Sequence, residues 1–79
     1  MKALRIYSRQ GCHLCELLIE ELLPMIRGRL ETEISDIDTR AEWRERFDVR
    51  VPVVEFEGNV ISEYPLDRQA VTKLLETLP

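Results

Sequence analysis

The chain has 79 residues, 44% hydrophobic and 33% charged, with a formal charge of −4. A length of this order predicts one domain, residues 1–79, with a small core, since roughly 60% of the unfolded surface is buried at this size. Charges of both signs are interspersed, and no apolar run is long enough for a signal peptide or a bilayer span, so nucleic-acid and membrane partners are not expected and a cytoplasmic location is.

In "KALRIY" apolar and charged residues alternate, which predicts a strand from Lys2 to Tyr7 that stops at "SRQG". A helix is predicted to start near Cys12, where Leu14, Leu17, Leu18, Leu22 and Met25 or Ile26 recur at helical spacing. Pro24 lacks a backbone donor, so this helix should kink or end by Arg27 or Gly28. "LETEISDID", with Leu30, Ile34 and Ile37 among polar residues, predicts a second strand. Thr39 stands three residues before Glu42, the spacing of a capping box, and Trp43 and Phe47 would dock the short helix that follows onto the sheet. Two β-rich runs in "VPVVEFEGNVISEY" flank Gly58-Asn59, which reads as a hairpin turn. Asp67 caps a last helix whose Ala70, Val71, Leu74, Leu75 and Leu78 form an apolar stripe. The order β-α-β-α-β-β-α predicts an α/β fold. A parallel crossover opens it and an antiparallel hairpin closes it, giving a four-stranded mixed sheet with helices on both faces.

Both cysteines, Cys12 and Cys15, stand at the start of the first predicted helix with His13 and Leu14 between them. In a reducing compartment such a pair suits exchange chemistry, redox sensing or metal binding better than a permanent staple. A thiolate is the reactive form of cysteine, and the first turn of a helix stabilises it, taking a pKa of ~8.5 down to roughly 3.5–7.5. Cys12 is the predicted nucleophile and Cys15 the resolving thiol. A staple would join distant segments, whereas closing so short a loop contributes only about 2 kcal/mol by the chain-entropy expression. A structural zinc needs four ligands and the sequence offers no second Cys/His pair, so no metal site is expected within one chain. An iron–sulfur cluster would need a second copy of the chain or glutathione sulfurs.

With "GCHLC" after the first strand, "VPVV" opening the third, and this order of elements, the chain resembles the glutaredoxins. It looks most like the small bacterial glutaredoxin-like proteins of the thioredoxin fold, and the resemblance spans nearly its whole length. It implies a thiol–disulfide oxidoreductase that reduces protein disulfides or glutathione mixed disulfides. Glutathione would be a co-substrate, no cofactor would be bound, and a thioredoxin-type reductant is a further candidate partner. The resemblance also implies that the Val51–Pro52 bond is cis and faces the cysteines, with the Val51 backbone pairing to the substrate's extended chain. A monomer is expected.

The departures from the family pattern are specific. The family centre reads Cys-Pro-Tyr-Cys, and here it is Cys12-His13-Leu14-Cys15; Arg50 replaces the common threonine before Val51-Pro52. The Gly-Gly-x-Asp-like turn that grips the glutathione carboxylate is replaced by "VISEYPLD", where Glu63 would repel it. Arg9 stands where many glutaredoxins carry a lysine that meets that carboxylate; its alternative is a solvated loop charge. Arg9 and Arg50 together would favour an acidic partner or glutathione itself. His13 is either a bystander or an imidazolium supporting the Cys12 thiolate, and Glu16 should oppose it. Leu14 is a candidate apolar contact for a partner protein, and Tyr7 a core or rim aromatic. A non-catalytic binding or sensor module, sharing a cluster between two copies, is the alternative to an enzyme.

Overall fold

The computed structural model describes residues 3–79. The first strand, β1 (Ala3–Ser8), follows the alternation predicted from the sequence; Lys2 lies outside the described residues. Successive side chains point to opposite faces of a strand. Leu4 and Ile6 therefore enter one core cluster, and Tyr7 enters the other.

Helix α1 (His13–Ile26) buries Cys15, Leu18, Leu22 and Ile26. The buried stripe is thus rotated from the predicted one: Leu14 and Leu17 face solvent, and Cys15 takes the inward position. Each of the three fully buried aliphatic side chains contributes about 1.5–3 kcal/mol of transfer free energy. Pro24 falls within the last turn and the helix stops two residues later, with the Arg27 amide reaching the Leu23 carbonyl at 3.0 Å.

Strand β2 (Glu31–Asp36) pairs parallel to β1 from Ala3↔Glu31 to Ser8↔Asp36. It ends sooner than "LETEISDID" suggests, because the Asp36 carboxylate accepts from the Asp38 amide and starts a 3-10 turn, Ile37–Thr39. The predicted capping box does not form. Thr39 donates its hydroxyl to the Asp36 carbonyl at 2.6 Å, and α2 (Ala41–Phe47) begins one residue later, behind Arg40, which makes no side-chain cap. Trp43 and Phe47 do pack α2 onto the sheet: the Phe47 ring stacks on Tyr7 at 4.2 Å, and Trp43 meets Tyr7 edge-on at 5.5 Å.

β3 (Val53–Phe56) and β4 (Asn59–Ser62) form the closing hairpin. Its two central residues are Glu57 and Gly58, both at positive φ (50° and 84°), one position earlier than the sequence suggests. Positive φ at both central positions gives the turn the twist that antiparallel strands need. Asn59 is instead the first strand residue, opposite Phe56. Gly58→Ala should therefore lower stability by about 1–2 kcal/mol, the cost of a Cβ in the left-handed region, read as a lower thermal midpoint. An unchanged midpoint would show that the turn relaxes freely. A one-residue shift in register between Val54 and Glu55 leaves Ile61 as the extra residue on β4.

The last helix, α3 (Arg68–Thr77), is capped by the Asp67 carboxylate, which accepts from the Ala70 amide at 3.0 Å. The sheet order is β2-β1-β3-β4, with β1 antiparallel to β3 and β3 antiparallel to β4. α1 and α3 cover one face over Leu4, Ile6, Val54 and Phe56, and α2 covers the other over Tyr7 and Val53. The predicted α/β architecture is the observed one. Among the described residues no helix is long and apolar enough to cross a membrane.

Candidate active site

The site grows out of the loop between β1 and α1. Gly11 turns back at φ 77°, a conformation other residues adopt only with strain, and the Cys12 amide closes the turn by donating to the Arg9 carbonyl at 3.2 Å. Cys12 is left extended, as the N-cap of α1, where a side-chain acceptor is normally found. Its sulfur fills that role: Cys12 Sγ accepts the Cys15 amide at 3.1 Å. The two cysteines form a disulfide across Cα atoms 5.3 Å apart. The exposures are unequal. Cys12 is half-buried and borders a surface groove, whereas Cys15, at 1% exposure, belongs to the core-facing side of α1.

The other residues singled out from the sequence divide into two groups. His13 and Leu14 are exposed on the turn between the two cysteines, with His13 Nδ1 3.9 Å from Glu16. Val51 and Pro52 immediately precede β3, joined by a cis peptide bond; Tyr64–Pro65 is a second cis bond. Since Tyr7 pairs with Val53, the register puts Val51-Pro52 at the end of the sheet where β1 runs into the cysteine loop. The Val51 and Arg50 amides both donate to the Phe47 carbonyl, at 3.2 and 2.9 Å, which ties this segment to α2.

Both arginines are held by the chain's own carboxylates. Arg9 binds Asp38 through two donors, each at 3.1 Å, and Asp48 at 2.8 Å, lashing the cysteine loop to the 3-10 turn and the end of α2. The hydrogen bonds it donates to Asp38, then to Asp48, raise its pKa. Arg50 binds Glu63 through two donors, at 2.8 and 3.3 Å. Glu63, which the sequence suggests would repel an incoming carboxylate, is neutralised in place by this fork.

The Arg50 hydrogen bond holds the Glu63 carboxyl below its ordinary value of 4.5, with desolvation opposing. A depressed folded-state pKa means the pairing stabilises the fold above the unfolded value and is lost as pH falls through the folded one. Arg50→Ala should shift the Glu63 titration upward in a carboxyl-resolved NMR experiment. A midpoint that stays put would mean that the fork does not persist in solution.

Sequence reading missed the groove beside Cys12. It holds about 410 Å³ and is lined in part by Glu16 and Ile19 of α1 and by Ile34 and Asp36 of β2. The signal was present in the parallel register: once Ser8 pairs with Asp36, the end of β2 must lie beside the cysteine loop. Among the described residues no three His, Cys, Asp or Glu side chains gather as metal ligands would.

This sheet order, with a Cys-x-x-Cys pair opening the first helix, defines a thioredoxin-like domain whose dithiol forms a disulfide. The family model for a glutaredoxin-like domain (DUF836) matches residues 3–76, and the chain belongs to that family. Two solved bacterial structures are similar. The solution structure of protein Ne2328 from Nitrosomonas europaea is 30% identical, with 92% of this chain and 89% of that one covered and a TM-score of 0.83. The X-ray structure of protein XcR50 from X. campestris is 29% identical over 98% of this chain and 100% of that one, with a TM-score of 0.72. No match was found among curated proteins.

Proposed function

We propose that the protein is a thiol–disulfide oxidoreductase in which Cys12 attacks a substrate disulfide and Cys15 resolves the product. The observation that carries this reading is the Cys15 amide donated to Cys12 Sγ at the start of α1. In the reduced protein the same donor, with the dipole of the first turn, favours Cys12 as thiolate. Glu16 in that turn opposes it, which keeps the sulfur nucleophilic rather than a very weak base.

The electrons balance without a cofactor. Cys12 thiolate forms a bond to one substrate sulfur as the substrate S–S bond breaks, and the other substrate sulfur leaves as thiolate. Cys15 loses its proton and attacks Cys12 Sγ, releasing the second substrate thiol. The dithiol gives up two electrons and two protons, and the substrate disulfide gains both. Burial of Cys15 shields it from substrate, so the first attack falls to Cys12. With its amide bonded to Phe47, Val51 offers its carbonyl to a substrate amide.

The test is to mix reduced protein with a peptide disulfide, quench with an alkylating agent and weigh the products. The expected result is loss of both alkylatable cysteines and release of two peptide thiols per protein. Cysteines that stay fully alkylatable would sink the enzyme reading and favour a binding module.

A further inference from the structure

We propose that the groove beside Cys12 selects disulfides in cationic polypeptide segments, seating a lysine or arginine next to the reacting cysteine. The inference rests on the exchange reading above and names its substrate class. Ile19 and Ile34 supply an apolar floor; Ile34 is 58% exposed because β2 is an edge strand. Glu16 and Asp36 supply carboxylates in the same groove as Cys12; Arg9 also lines it, with its guanidinium tied to Asp38 and Asp48. A long cationic side chain matches this pairing: its methylene stem lies on apolar surface while its head reaches the acids.

Charge around the site points the same way. Arg9 and Arg50, the cations that would welcome a carboxylate, are engaged by Asp38, Asp48 and Glu63. No arginine or lysine among the described residues pairs with Glu16 or Asp36 within 4.0 Å; Glu16 has only His13, at 3.9 Å, and Asp36 is occupied by the Asp38 amide. With Arg9 tied to Asp38 and Asp48, the carboxylates of Glu16 and Asp36 leave the groove negative. An anionic tripeptide such as glutathione meets repulsion there, and a basic segment meets attraction.

The test uses two peptides of equal length, with Lys-Leu or Glu-Leu on both sides of a single cysteine. Each cysteine is joined by a disulfide to the same chromogenic thiol. Cys12 thiolate attacks the peptide sulfur, the peptide–reporter bond breaks, and the reporter leaves as a coloured thiolate; Cys15 then displaces the peptide. At low salt the lysine peptide should react on the order of tenfold faster, the lower range of electrostatic steering. The ratio should fall toward one in 1 M salt, where the screening length is ~3 Å, and in the Glu16→Gln/Asp36→Asn variant. Glu16→Gln alone, at an exposed position, should lower it partway. The glutathione–reporter disulfide should react with the glutamate peptide's slowness. A ratio at or below one, or one that both variants leave unchanged, overturns the selection while exchange itself stands. No reporter release from any probe overturns the exchange reading and this inference together.

Discussion

Cys12→Ser should bring disulfide turnover down to the uncatalysed background, while Cys15→Ser should leave a reaction that stops at a protein–substrate mixed disulfide. The asymmetry follows from placement. Cys12 borders the groove at the helix start, with a backbone donor on its sulfur; Cys15 lies at 1% exposure against the core. A serine hydroxyl at position 12 accepts the same amide but forms no thiolate near neutral pH, so the fold survives and the nucleophile is lost. With serine at position 15 the first S–S bond still forms, and nothing inside the chain breaks it. Intact mass under non-reducing conditions separates the cases: wild type ends as the internal disulfide, the Cys15 variant as protein plus one substrate thiol, the Cys12 variant unmodified. A stable adduct on the Cys12 variant instead would assign the nucleophile to Cys15 and reverse the roles.

The cysteine pair and the order of elements were legible in the sequence because both rest on local signals. Two cysteines three apart meet at a helix start wherever that helix begins, and the apolar periods of β1 and α3 are strong enough to survive small errors of boundary. What was not legible depended on register or on competition between near-equal local choices. Thr39 had two acceptable uses, capping α2 or closing a turn on Asp36, and the buried Ile37 settled it by pulling the chain into the 3-10 turn. The Glu57-Gly58 turn placed a glutamate at positive φ, which propensity disfavours; the pairing of Asn59 with Phe56 imposed it. Arg9 and Arg50 read as free cations because their partners, Asp38, Asp48 and Glu63, lie 13 to 39 residues away along the chain. These pairings bear most on the proposed substrate preference, since they engage both cations that the sequence offers near the cysteines.

Phe47→Ala should remove about 3–5 kcal/mol of stability, the range for deleting a fully buried aromatic side chain. Against the roughly 4–12 kcal/mol expected of 79 residues, that removes from about a quarter to all of the margin. The ring is 0% exposed and stacks on Tyr7 at 4.2 Å, with the Arg46 and Arg50 guanidinium groups 4.6 and 5.4 Å from its centre. Seven residues are too few for a helix to hold itself together in water, so α2 depends on this anchor. The consequences reach the cysteine loop. Asp48 holds Arg9 from the end of α2, and the Phe47 carbonyl receives the Arg50 and Val51 amides just before Pro52. Thermal unfolding followed by Trp43 fluorescence should fall by at least ~12 °C, at about 4 °C or more per kcal/mol for a domain of this size. Val49→Ala, two residues on and 92% exposed, should stay within about 0.5 kcal/mol of wild type. Phe47→Leu keeps most of the apolar volume, so it should recover much of the loss and restore exchange at low temperature. Equal midpoints for the Phe47→Ala and Val49→Ala proteins would mean that α2 is not anchored through this ring, and the route by which α2 positions Val51-Pro52 would fall with it.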